Sequence, residues 1–157
     1  MKRAYLSILF ACIFAIGAQA QTTTPPPPTT TAGPVSRVTY FEAKTGKGTE
    51  FLNFLRTHSK PILDEQKKQG LILNYGYFTQ PTTNGPGDWT IGVIVTHANY
   101  ADAVDFNAER GAKFDAISIG HYGSVEARTK AGDLQNELRT VVSSKLVRAV
   151  TLLPMPK

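Results

Sequence analysis

The chain predicts an α+β fold, a single four-stranded antiparallel sheet with helices on one face. Three observations carry this expectation. The stretch from Thr49 to Phe78 changes character at Gly70: before it, Phe51, Leu52, Leu55, Ile62 and Leu63 recur at three- and four-residue steps, and after it Leu71 to Phe78 is rich in strand formers. Trp89 to His97 alternates, with Trp89, Ile91, Val93 and Val95 on one face and Thr90, Gly92, Ile94 and Thr96 on the other. The elements then follow in the order strand, helix, strand, strand, helix, helix, strand.

Taken in order, the first strand is expected over Val35 to Lys44, where Val38, Tyr40 and Phe41 supply β-propensity. Gly46-Lys47-Gly48-Thr49 has a superficial likeness to a phosphate loop, but Gly48 separates Lys47 from Thr49 and no glycine precedes at the required distance. It reads as a turn, with Thr49 as the N-cap of the helix. Pro61 inside that helix removes one backbone donor, so a kink or restart is expected near His58 to Lys60, and Gly70 is the expected C-terminal stop. Lys60, Asp64 and Lys68 are spaced for i,i+4 pairs on the outer face.

The strand Leu71–Thr79 joins Trp89–His97 through a loop rich in turn residues, Gln80 to Asp88. Asn99 is expected to cap a short helix from Tyr100 to Asn107, with Ala101 and Val104 inward. Residues 108–123 read as one or two helical turns interrupted by Gly111, Gly120 and Gly123. A further helix is expected from Ser124 to Ser143, with Val125, Leu134, Leu138 and Val142 as its apolar residues, and a last strand from Lys145 to Leu153. This is the ferredoxin-like βαββαβ plan with an extra helix before the last strand. Its second sheet face lacks a helical cover. The residues expected there, Asn74, Gly76, Phe78, Thr90, Gly92 and Ile94, mix apolar with small polar groups, as suits a dimer closing around a cavity.

The domain is expected to occupy residues 35–157. Ahead of it, Lys2 and Arg3, the apolar run Tyr5 to Gly17 and Ala18-Gln19-Ala20 have the form of a signal peptide over residues 1–20, too short for a comfortable membrane span. A lipoprotein anchored at Cys12 is the competing reading. Residues 21–34, with Pro25 to Pro28 between threonine runs, read as an extended disordered linker. Cleavage after Ala20 removes Cys12 and leaves no thiol or disulfide. It lowers the formal charge from +5 to +3, because Lys2 and Arg3 leave with no acid. The remaining basic residues are scattered, which argues against nucleic acid as a partner. An exported, periplasmic or extracellular protein is expected.

Phe51-Leu52, Lys60-Pro61-Ile62-Leu63, Gly70-Leu71-Ile72, Tyr75-Gly76-Tyr77, the apolar strand after Trp89 and the closing Leu138 to Leu146 together resemble the dimeric α/β-barrel superfamily. That group includes antibiotic-biosynthesis-type monooxygenases, haem-degrading enzymes and small exported proteins of unknown function. The resemblance covers about Val35 to Leu153. It implies a homodimer whose two sheets form a barrel, with a pocket inside each sheet. Haem-degrading relatives use a histidine on the helix after the third strand, an asparagine on the first strand and a tryptophan. Trp89 matches the tryptophan alone, and no cofactor is expected.

The histidines His58, His97 and His121 lie too far apart in sequence for a zinc motif, so no metal is expected. His58 is expected to be an exposed or half-buried helix residue. His97 ends the third strand, where a pocket mouth would lie. His121 and Tyr122, between two glycines, fall in an irregular segment that reads as a surface loop, with a lid as the competing reading. Asn74, Arg37 and Arg148 are polar residues within strands, and Arg148 is the charge expected inside the cavity. The ligand-contact set is therefore His97, Arg148, Asn74, His121 and Tyr122. No catalytic residue is assigned. Three functions fit: an exported homodimer binding a small apolar or aromatic molecule, a cofactor-independent monooxygenase-like enzyme, or a non-catalytic structural or interaction dimer.

Overall fold

The computed structural model describes residues 28–82, 85–105 and 107–155. The expected signal segment, Cys12 and most of the proline-rich stretch lie outside the described residues. The elements are β1 (Thr30–Ala43), α1 (Gly48–Phe54), a π-helical segment (Leu55–Ser59), α2 (Lys60–Lys68), β2 (Asn74–Thr79), β3 (Ile91–His97), α3 (Tyr100–Val104), α4 (Ala108–Tyr122), α5 (Val125–Leu138) and β4 (Arg139–Leu152). The sheet order is β2-β3-β1-β4, and β1–β3, β1–β4 and β2–β3 all pair antiparallel. Alternating βαββαβ connections with this order make the fold ferredoxin-like.

Several boundaries differ from the expectation. β1 starts at Thr30, so residues 30–34 belong to the sheet rather than to a linker. Thr30 to Ala32 pair with the end of β4, and the register slips between Ala32 and Val35. Gly33-Pro34 occupies the slip; proline has no N–H for the ladder, and strands accommodate it at an irregularity. Thr49 does not cap α1: the cap position is Lys47, which makes no side-chain capping bond, and Gly48 is already helical.

The Pro61 break takes a specific form. Over Leu55 to Ser59 the helix widens, and the Lys60 N–H donates to the Leu55 carbonyl five residues back. Pro61 then sits in the first turn of α2, where its missing donor costs least. Gly70 ends the helix with φ 71°. The Gly70 N–H bonds the Lys67 carbonyl at 3.0 Å and the Leu71 N–H bonds the Gln66 carbonyl at 2.9 Å, the paired closure that a left-handed glycine permits. Lys60 and Asp64 pair at 2.7 Å as expected, but Lys68 turns to Glu65 at 3.2 Å. Asp64 instead accepts from the Tyr75 hydroxyl and so ties α2 to β2.

Residues 108–122 form one continuous helix, so three helices rather than two separate β3 from β4. Gly111 and Gly120 each cost this helix about 1 kcal/mol relative to alanine. The Asn107 side chain, accepting from the Arg110 N–H at 2.9 Å, and burial of Ile117 offset that cost. Asn99 caps α3 in the same way through the Asp102 N–H, but the residue buried there is Ala103, with Val104 exposed. The helix α5 stops at Leu138. Thr140-Val141-Val142, expected to be helical, extend β4 against Phe41 and Glu42 of β1, where β-branched side chains fit the pleat.

The core is built from Phe41, Phe51, Phe54, Leu55, Ile91 and Leu138, with Tyr77 and Val93 packed against it. It lies between the sheet and α1, its π-helical extension and α5. Leu52, expected inward, is exposed, and Phe54 takes its place. No helix among the described residues is long and apolar enough to cross a membrane.

Candidate functional sites on the open sheet face and at a histidine pair

Strand alternation fixes which residues face away from the helices. Tyr77 and Val93 pack on the core, so Gly76, Phe78, Gly92 and Ile94 point to the opposite, helix-free face. Cross-strand register gives its rows: Asn74 with Thr96 and Ser36, Gly76 with Ile94 and Val38, and Phe78 with Gly92 and Tyr40. The open-face placement expected for Gly76, Phe78, Gly92 and Ile94 therefore holds.

The third row is the distinctive one. Gly92 sits between Tyr40 and Phe78, and a Cβ at Gly92 would overlap Cζ and Cε2 of the Phe78 ring. The ring thus lies directly on the β3 backbone, in space that only glycine leaves open. Tyr40 meets Phe78 edge-on at 5.9 Å between ring centres, and Trp89 meets Tyr40 at 5.1 Å and Phe78 at 5.4 Å. Edge-to-face contacts of this kind are favourable beyond the area they bury. Trp89, expected on the core side with Ile91, belongs to this open-face cluster instead, since it precedes β3 and escapes its alternation. Lys145 of β4 brings its Nζ to 5.9 Å from the Tyr40 ring centre. Beyond the cluster, β4 is an edge strand with Val141, Val142, Leu146, Val147, Val150 and Leu152 exposed.

None of the five expected contact residues lines this cluster. Asn74 begins the edge strand, and its Oδ1 accepts from Lys67 of α2 at 3.0 Å. His97 is on the helix side and only 8% exposed, beneath α3 and α4. Arg110 points its Nη2 toward His97 Nδ1 at 3.5 Å, and also donates to the Leu71 carbonyl and to Asp102. Burial, and then the Arg110 and Arg37 charges, hold the His97 imidazole below its ordinary range. It is a neutral structural histidine, not part of a pocket mouth. Arg37 donates to the Ala103 carbonyl at 2.7 Å and fastens α3 to the sheet.

Arg148 also lies on the helix side. It pairs with Val35, stands over the Tyr100 ring at 5.9 Å and lines a hollow of about 270 Å³ with those two residues. The antiparallel register, unbroken from Val35 with Arg148 to Tyr40 with Ser143, sets this direction, so Arg148 is not a charge on the open face.

His121 and Tyr122 form the last turn of α4, not a loop; Gly123, with φ 84°, supplies the stop. They meet His58, which the sequence did not connect to them. His58 Nδ1 and His121 Nε2 are 3.1 Å apart, and His58 is also 5.2 Å from the Tyr122 ring and 4.8 Å from Phe54, centre to centre. His121 borders a groove of about 450 Å³ between α2 and α4, floored by Pro61, Ile62, Ala116 and Ile117. No cluster of three or more His, Cys, Asp or Glu among the described residues is arranged to hold a metal.

No family model matches the chain, and no curated protein matches it. Two solved structures share a distant likeness. One is a dimeric protein of unknown function and ferredoxin-like fold from Bacteroides fragilis NCTC 9343, 15% identical, covering 77% of this chain and 97% of that one with a TM-score of 0.39. The other is a dimeric ferredoxin-like protein from an uncultured marine organism, 12% identical, covering 80% of this chain and 93% of that one with a TM-score of 0.40. Likeness this low says nothing of what the present chain binds or how it assembles.

Proposed function

We propose that this protein is an exported, non-catalytic homodimer that binds a small, flat, mainly apolar or aromatic molecule between the helix-free faces of its two sheets. The observation that carries the reading is the Tyr40–Phe78–Trp89 cluster on a face with no helix over it. Aromatic side chains left half-exposed in a group are costly unless something apolar covers them. A second copy related by a two-fold axis supplies a cover of the same chemistry, and exposed Val147 of β4, which pairs with Ser36 of the open-face rows, extends the contact. Rings already packed edge-on offer a ligand a rigid platform, which keeps the ordering cost of binding low.

Static light scattering on the domain is expected to give the mass of a dimer at micromolar concentration. A thermal-shift panel of small aromatic compounds is expected to contain stabilisers whose effect disappears in Phe78→Ala. A stable monomer rejects the assembly; a dimer without any stabiliser favours a second reading, an interaction dimer with a filled interior. That second reading has its own support, because the Phe78 ring already occupies the space above Gly92.

Export rests on Lys2 and Arg3, the apolar run and Ala18-Gln19-Ala20. Intact-mass measurement on protein recovered from the cell envelope is expected to find Gln21 at the N-terminus. A lipid-modified Cys12 would replace this reading with the lipoprotein.

A further inference from the structure

We propose that His58 and His121 form an acid-released clasp, which ties the π-helical segment of the first helix to the end of α4 through one shared proton. The geometry decides between a proton and a metal. The ring centres are 5.4 Å apart and the two nitrogens 3.1 Å, so the nitrogens face each other nearly head-on across most of that span. A tetrahedral cation held by both would sit about 2.0–2.1 Å from each nitrogen and off the line joining them, whereas these nitrogens point at each other. The observed spacing is that of an N–H···N hydrogen bond.

The direction of the bond follows from position. His121 is in the last turn of α4, where the helix dipole favours a positive charge. His58 is half-buried against Phe54 and Tyr122. The His121 Nε2–H therefore donates to His58 Nδ1. Protonation of His58 then falls on Nδ1 itself, which removes the acceptor and sets two N–H donors against each other. Burial, and then the His121 charge, hold His58 below its ordinary value.

The charged groups around the pair do not reverse this. Glu50 of α1 borders the hollow beside His58, but it is engaged by Lys47 at 2.8 Å. Glu65 of α2 and Lys113 of α4 border the groove beside His121; Glu65 is engaged by Lys68 and Gln69, and Lys113 by Glu109. From α5 the lining residues are the uncharged Leu134 and Leu138.

The sign follows. His58 is neutral in the folded state at a pH where the unfolded chain already protonates it. Its contribution to stability is present above the unfolded value of 6.5 and is lost as pH falls through the lowered folded value. The π-helical segment is the element released, since its backbone ladder is already widened at Leu55 to Ser59.

The test is a titration of the imidazole resonances of the folded protein from about pH 8 to about pH 4.5, with amide hydrogen exchange read at each step. His58 is expected to titrate below the ordinary histidine value, with exchange at residues 55–60 and 119–123, corrected for its intrinsic pH dependence, rising on the order of tenfold as His58 charges. His121→Phe keeps a ring but cannot share a proton, so the acid-dependent acceleration is expected to vanish in it. His97 is untouched by that change, and the global acid sensitivity it contributes should remain in both proteins. Titration of His58 at its ordinary value overturns the clasp. So does acid-accelerated exchange that persists in His121→Phe. Should that variant fail to fold, the unmodified protein decides the matter: exchange at 119–123 must change in step with the His58 titration, and exchange that does not follow it overturns the clasp.

Discussion

Replacing Phe51 by alanine is expected to lower the unfolding free energy by about 3–5 kcal/mol, the usual cost of emptying a fully buried aromatic site. Phe51 is 0% exposed and packs its ring edge-on against Phe41 at 5.6 Å between centres. Phe41 in turn carries the Arg139 guanidinium over its other surroundings at 4.8 Å. The cavity would therefore open beside a strand, a helix and a half-buried cation, none of which can close it without giving up its own contacts. Domains of this size have about 5–15 kcal/mol in total, so the variant should be folded only weakly. Urea unfolding of both proteins measures the difference; a loss below about 1.5 kcal/mol would mean that the site collapses and that Phe51 is not the centre of the core.

The second large effect is expected at Gly92. A Cβ there cannot coexist with the Phe78 ring where it lies, but the ring is the end of a side chain on an edge strand and can swing outward. Gly92→Ala should cost about 1–3 kcal/mol, displace Phe78 from Tyr40 and Trp89, and weaken both dimerisation and ligand binding. Phe78→Ala alone loses the same contacts. The double variant removes the clash together with its cause, so it should be less damaged than the two single losses added, by more than about 0.5 kcal/mol. Unfolding of the four proteins, read with their near-ultraviolet circular dichroism, gives the coupling. Additive losses would show that the ring does not depend on Gly92, and would remove the aromatic platform from the proposed interface.

Much of the fold was legible in local patterns. The helix broken near Pro61, the stop at Gly70, the cap at Asn99 and the alternation of Ile91 to Val95 each depend on a few neighbouring residues, and each appears as expected. Residues 108–122 misled because two glycines look like interruptions, whereas Asn107 and the packing of Ile117 keep the helix continuous. The start of β4 misled because Leu134 and Leu138 continue a helical spacing into Val142. Pairing with β1 takes over at Arg139, and no local signal marks that point.

The functional residues were less legible, for a physical reason. Chain composition and period alone determined that one sheet face would lack helices, and that Gly76, Phe78, Gly92 and Ile94 would share it. Which side chains meet on it was decided by register: Gly92 means nothing until Tyr40 and Phe78 are brought to either side of it by strands far away in sequence. The same holds for His58 and His121, 63 residues apart, which become partners only when α4 ends beside the widened turn before Pro61. Periodicity assigns a residue to a face; distances between elements, set by packing, choose its neighbour. Arg148 and His97 were placed correctly on strands, but their direction depends on pairing with Val35 of β1 and on the cover given by α3 and α4, which only the assembled structure supplies.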